Sequence, residues 1–154
     1  MIEPTPTRLP AQQVAEACAA AMYERDYAAQ MLGVIVKEIR PGYARLKMTV
    51  RKDMINGHDI CHGGMTFALA DTAFAYCCNT HNQTTVALAC TIDFVGPARL
   101  GDELTAIAQE RSLSRRTGLY DVTVTTQHGG VIAHFRGRSY RIKGQVVPGL
   151  ELTP

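Results

Sequence analysis

Asp71 stands alone as an ionisable side chain in a long apolar run. From about Gly64 to about Asn79 the chain carries Met65, Phe67, Leu69, Phe74 and Tyr76 among small Ala and Cys residues, with only Thr66, Asp71 and Thr72 polar before the end. An element of this composition reads as a helix buried on every face, and it falls short of the roughly 20 apolar residues that span a bilayer. A carboxylate inside it loses its hydration on folding, with no neighbouring charge in the sequence to compensate. That arrangement predicts a raised pKa and a chemical role as base or nucleophile. The plainer alternative is a buried carboxylate satisfied by a backbone group.

The run is introduced by Cys61-His62-Gly63-Gly64. The first turn of a helix has unpaired N–H groups and the positive end of the dipole, and glycine lets a carbonyl approach the backbone closely. Gly63 and Gly64 therefore suit an oxyanion site, although a Gly-Gly pair also makes a tight turn. Asp71 lies eight residues beyond Gly63, roughly 12 Å along a helix axis, too far for both to serve one carbonyl carbon. Two such helices packed antiparallel bring each N-terminus to the other's Asp71, which predicts a two-fold dimer with composite sites.

Asn56-Gly57-His58 and His62 fall beside the same turn. An Asn amide can hold a water or a substrate carbonyl, and Asn-Gly is equally a turn former; His62 either bonds substrate or braces the loop. A thiol–base pair from Cys61 and His62 is disfavoured, because adjacent residues on a chain rarely point the same way. His58-x-x-Cys61-His62 lacks a fourth ligand for a closed zinc site. Arg111, Arg115, Arg116, Arg136, Arg138, Arg141 and Lys143 gather around strand ends of the C-terminal half. They read as a solvated face or, clustered by a groove, as partners for the phosphates of a nucleotide-bearing substrate. They lack interleaved aromatics, so nucleic acid is not indicated.

The chain of 154 residues has room for one domain with a real core. Its 46% hydrophobic and 19% charged residues describe an ordinary soluble protein, and a net charge of +2 calls for neither nucleic acid nor an anionic membrane. The first residues have no basic n-region and no apolar h-region, which predicts a cytoplasmic location. Five cysteines, an odd count without paired spacing, read as reduced thiols.

The elements that must position these residues follow in order. Pro4, Pro6 and Pro10 mark an N-terminal arm expected to be mobile over about residues 1–10. An Ala-rich helix is predicted from Ala11 to about Leu32, stopped by Gly33. Val34–Ile39 and Tyr43–Val50 form a hairpin about Pro41-Gly42. After the buried helix, Thr84–Val95 is nearly continuous apolar sequence and reads as a central strand. Glu103–Ser112, Gly118–Gln127 and Val131–Ile142 complete a meander, and the tail, residues 144–154, is expected to be loose. The pattern predicts an α+β fold with an antiparallel sheet wrapped around one helix, the rest of that helix being covered by association.

The run Asn56-Gly57-His58-x-x-Cys61-His62-Gly63-Gly64-x-x-Phe67-x-Leu69-Ala70-Asp71-Thr72-Ala73-Phe74-Ala75 resembles the signature of the phenylacetic acid degradation thioesterases, a branch of the hotdog-fold acyl-CoA thioesterases. Ala89-Cys90-Thr91-Ile92-Asp93-Phe94 and Phe135-Arg136-Gly137-Arg138-Ser139 resemble the same family. The resemblance implies a hotdog fold, a long central helix wrapped by an antiparallel β-sheet, assembled as dimers that pair into a homotetramer. It implies that the Gly63 N–H polarises the thioester carbonyl, that Asp71 of the opposing subunit is base or nucleophile, and that Asn56 orients substrate or water. His62 joins the catalytic set. Gly64 and Thr72 are expected to contact substrate, and Arg115, Arg116 and Arg138 the phosphates of CoA. In related hotdog thioesterases a Thr or Ser one turn after the acid assists a water; Ala75 holds that position here.

The expected activity is hydrolysis of an aromatic acyl-CoA, phenylacetyl or hydroxyphenylacetyl in type, to free acid and CoA, with no metal or redox cofactor. Two rivals stand: a hotdog enoyl-CoA hydratase or dehydratase using His62 with Asp71, and a non-catalytic acyl-CoA-binding protein.

Overall fold

The apolar run folds as one unbroken helix, α3, Gly63–Cys78, in a computed structural model that describes residues 6–153. Leu69, Ala70, Ala73, Phe74 and Cys77 on it are buried. They lie against a six-stranded sheet of β2 (Ile35–Arg40), β3 (Tyr43–Thr49), β4 (Thr85–Phe94), β5 (Glu103–Leu113), β6 (Thr117–Thr125) and β7 (Val131–Arg141). The spatial order is β2-β3-β5-β6-β7-β4, every neighbouring pair antiparallel. Period-2 alternation sends Leu46, Met48, Leu104, Ala106, Ala108, Tyr120, Val122, Val124 and Phe135 into one core under α3. The predicted α+β architecture, a sheet around one long helix, is the observed one.

The helix comes close to the sheet at Gly137. A Cβ built there would sit 2.9 Å from three carbons of the Phe74 ring, so the absent side chain is what lets α3 settle onto β7. Phe74 continues into an aromatic cluster, 5.4 Å from Tyr120 and 5.8 Å from Phe135 between ring centroids.

Three expectations change. The first helix is two: α1, Ala11–Tyr23, and α2, Tyr27–Leu32. Asp26 breaks it by turning its side chain back to accept from Ala29 N–H at 3.0 Å, the N-cap bond an interior Asp forgoes. Gly33 (φ 69°) ends α2 as expected. Thr85–Phe94 is an edge strand, not a central one; Val86, Leu88 and Phe94 on it are exposed, with Val95 just beyond. Continuous apolar sequence reads the same in an edge strand as in a central one.

The ends, expected to be mobile, are clasped over the described residues. β1 (Thr7–Leu9) pairs in parallel with β8 (Leu150–Leu152), and Leu150 packs on Val14 and Cys18 of α1. Asn82 holds the incoming tail, accepting from Val147 N–H at 2.8 Å and donating to the Leu150 carbonyl at 2.8 Å. These partners are far apart in sequence, so local composition gave no sign of them. The expectation for residues 1–5 and 154 lies outside the described residues.

Gly137→Ala is expected to destabilise the fold by about 1–3 kcal/mol, as overpacking does in a tight core. A lowered urea midpoint with an unchanged m-value checks it.

Candidate functional site

The loop before α3 is held at both ends. Ile55 and Cys61 form an isolated antiparallel bridge, Cys61 N–H donates to Ala98 carbonyl at 2.8 Å, and His62 N–H donates to Met54 carbonyl at 2.7 Å. Between them Asn56 makes an Asx turn, its Oδ1 accepting from His58 N–H at 2.9 Å and more weakly from Ile60 N–H at 3.4 Å. Its oxygen is thus a brace, while its amide N–H₂ bonds nothing among the described residues.

His62 is the N-cap of α3. Its Nδ1 accepts from Gly64 N–H at 2.9 Å, which puts the proton of the neutral ring on Nε2. Met65 N–H bonds the His62 carbonyl at 2.9 Å. The Gly63 N–H is left without a partner among the described residues, the open donor of this helix terminus. The Phe94 ring flanks it: a Cβ on Gly63 would lie 3.1 Å from Phe94 Cζ. Of the two glycines, only Gly63 offers its amide; Gly64 does not supply the substrate contact expected of it through its N–H. Thr72 likewise spends its hydroxyl proton on Ala68 carbonyl, at 2.7 Å within the helix.

Asp71 is half-buried, on a strip of α3 with Met65, Ala68, Thr72 and Ala75 that the sheet leaves part-exposed. Burial pushes its carboxyl above the usual range, offset in part by a hydrogen bond from the Cys90 thiol, Sγ to Oδ1 at 3.9 Å. Cys61 points elsewhere, into contact with Thr66 at 3.9 Å, and burial pushes its thiol up. This removes the thiol–base alternative, and among the described residues no His, Cys, Asp or Glu cluster is arranged to hold a metal.

The basic residues divide. Arg136 and Arg111 both bond Asp121, at 2.7 and 3.0 Å, on the outer face of the sheet; those contacts, Arg136 first, hold Asp121 below the usual range. Arg115, Arg116, Arg141 and Lys143, with Tyr140 and Ile142, line a groove of about 610 Å³, near the start of β4 where Arg141 pairs with Thr85. Arg138 lies outside this group, exposed and paired in register with Ala89 and Leu119. A roomier groove of about 720 Å³ between α1 and β2 contains none of the expected site residues.

Sequence reasoning missed Cys90 and Phe94. The period-2 spacing Cys90-x-Ile92-x-Phe94 was the available signal, since it puts all three on one face of β4.

The thioesterase superfamily model matches residues 58–133. The chain is 49% identical over 126 residues to acyl-coenzyme A thioesterase PaaI of Escherichia coli, covering 82% of this chain and 90% of that protein. The solved structure of the E. coli PaaI protein, from the phenylacetic acid degradation operon, superposes with a TM-score of 0.86 at 46% identity, over 92% of this chain and 99% of that one. A mutant of the phenylacetic acid degradation protein PaaI from Thermus thermophilus gives a TM-score of 0.73 at 39% identity, over 76% and 100%.

The raised carboxyl of Asp71 has a consequence for stability. Its native value lies above the unfolded one, about 3.9, so ionised Asp71 weakens the fold in full above the native value. That cost shrinks as pH falls through the native value and is gone below the unfolded one. Asp71→Asn is therefore expected to be more stable than the wild type at neutral pH, with the advantage vanishing in acid. Urea unfolding across that range tests the sign.

Proposed function

From the premise that this chain belongs to the thioesterase superfamily and is an acyl-CoA thioesterase of the phenylacetic acid degradation type, we propose that it hydrolyses an aromatic acyl-CoA of the phenylacetyl or hydroxyphenylacetyl class. The observation that carries the mechanism is the pairing, on one helix, of a Gly63 N–H at the N-terminus that has no partner among the described residues with a half-buried Asp71 eight residues on. Each active site combines Gly63 of one subunit with Asp71 of the partner subunit.

Exposed Val86, Leu88, Phe94 and Val95 on or beside the free edge β4, and the part-exposed strip of α3, support such a dimer. Edge-to-edge pairing of β4 continues the sheet and sets the two helices antiparallel. Dimers then pair into a tetramer.

The thioester oxygen receives the Gly63 N–H and the positive end of the helix dipole, which stabilise the tetrahedral oxyanion. The carboxylate either attacks the acyl carbon or takes a proton from an attacking water. On the water route the carbon–sulfur bond then breaks, CoA leaves as thiolate and is protonated, and the water oxygen ends in the acid; on the nucleophile route loss of CoA leaves a mixed anhydride of Asp71, which a water opens to the free acid and the regenerated carboxylate. His62 Nε2–H and the free amide of Asn56 are donors for positioning substrate or water beside that amide. Matching Gly63 with the partner's Asp71 centres the helix crossing on Phe67. The C-terminal half of each α3 then runs past the partner's N-terminus, and the groove of Arg115, Arg116, Arg141 and Lys143 is drawn toward that site. These cations suit the phosphates of CoA; Arg138 is the weakest of the original three. No helix among the described residues is long and apolar enough to cross a membrane, and a cytoplasmic location goes with the reading.

A thiol-release assay over a panel of acyl-CoAs is the primary test. Asp71→Asn is expected to keep substrate binding while kcat drops by about 100-fold or more; near-normal turnover would remove Asp71 from the chemistry. Mixing inactive Gly63→Pro and Asp71→Ala chains should restore activity in verified heterodimers, because one of the two composite sites is then intact. Heterodimers that stay inactive contradict shared sites.

Neutralising Arg115 and Arg116 together is expected to raise KM by about tenfold, the equivalent of about 1.4 kcal/mol of uniform binding. An unchanged KM for every acyl-CoA tried would assign both residues to the solvated surface.

A further inference from the structure

β4 and β7 pair so that Cys90 stands opposite Gly137, Ile92 opposite Phe135, and Phe94 opposite Ala133. Cross-strand partners share a face, and Phe135 and Ala133 are buried core residues, so Cys90 points to the helix side. Its position there follows from Gly137. With no Cβ between them, the Phe74 ring lies directly over Gly137, and Asp71, three residues before Phe74, occupies the neighbouring place on the same helix face. The register that seats α3 on the sheet thus also brings Cys90 Sγ to 3.9 Å from Asp71 Oδ1.

We propose that Cys90 is a positioning residue for Asp71: its thiol donates the side-chain hydrogen bond that orients the carboxylate and sets the acid limit of turnover.

Among the described residues no other side chain donates to Asp71. The groups facing it can be named. Cys90 comes from β4, and Cys78 on α3 itself senses the Asp71 charge; Glu110 of β5 is turned toward Cys77 and Cys78 and bonds His81 and Tyr120. Among the described residues no lysine, arginine or histidine contributes to its ionisation. In the composite site the positive end of the partner's α3 joins these groups. With no cation beside Asp71 among the described residues, even a weak S–H donor weighs on the balance between carboxylate and acid. Burial, and then the Asp71 charge, push the Cys90 thiol above its ordinary value, so it keeps its proton while Asp71 ionises.

The proposal rests on the reading that ionised Asp71 performs the chemistry, and the two fail separately. Asp71→Asn with near-normal turnover refutes that reading. An inactive Asp71→Asn beside an unmoved acid limb in the Cys90 variants refutes only the present proposal.

The experiment is the pH profile of kcat and KM for the intact oligomer with an acyl-CoA substrate. Cys90→Val fills the space without a donor, so the acid limb of kcat should move to higher pH by about half a unit. On the acid side this is a loss of about threefold, in kcat rather than in KM. Cys90→Ser keeps a donor and should return the limb to the wild-type position or below it. A limb that stays put in Cys90→Val, or moves equally in Val and Ser variants, overturns the proposal. Should Cys90→Val fail to fold, the S–H stretching band of the wild type gives the second reading. A component that shifts as Asp71 ionises, and is indifferent to pH in Asp71→Asn, supports the bond; a wild-type band unaffected by pH overturns it.

Discussion

Everything in this molecule follows from a helix that has no polar face. α3 cannot stand in water on any side, and one antiparallel sheet covers only part of a cylinder. Small residues make the covered side close: Ala106 and Ala108 in β5 and Gly137 in β7 let the helix backbone approach the strands. The uncovered strip is where Asp71 lies. The incomplete wrapping of one chain is thus what leaves its carboxylate within reach of something outside that chain.

The same constraint organises the charges. A cation beside Asp71 would secure its ionised form at the expense of its basicity; among the described residues the side-chain partner is a thiol. Of the arginines of the C-terminal half, Arg111 and Arg136 bond Asp121 on the outer face, and Arg115, Arg116 and Arg141 gather at the far end of β4. At the other end of the helix, His62 consumes one amide and leaves its neighbour open. The polarity of the site is therefore carried by backbone geometry more than by formal charge, which suits a reaction whose developing charge sits on a carbonyl oxygen.

How much of this the sequence disclosed depended on the range of the interaction. The bounds of α3, the hairpin about Gly42 and the stop at Gly33 were legible because helix caps and turns are local. Asp71 and Gly63 could be singled out because burial and helix polarity are written along a single element. The break at Asp26 was masked by strong helix formers on both sides. Cys90, Phe94 and the Asp121 ion pairs depend on cross-strand register, which no one segment contains. The edge position of β4 was misjudged because hydrophobicity is the same whether the covering surface belongs to the chain itself or to another copy. Asn56 shows a finer limit: the turn and the site both had a claim on it, and the fold divides the side chain, using its oxygen for the loop and leaving its nitrogen unbonded among the described residues.

The clasp between β1 and β8 ties together segments more than 140 residues apart in sequence. Because the two strands run parallel, Thr153 reaches back to bond the Leu9 carbonyl at 2.9 Å, at the far end of β1 from where that strand begins. A segment joining the end of β8 to the start of β1 would therefore run back along the strand, about 10 Å at roughly 3.3 Å per residue. Fraying is also shared: trimming a few residues from the tail removes the pairing partner of the head, so the termini behave as one unit whose loss also uncovers the face of α1 beneath them.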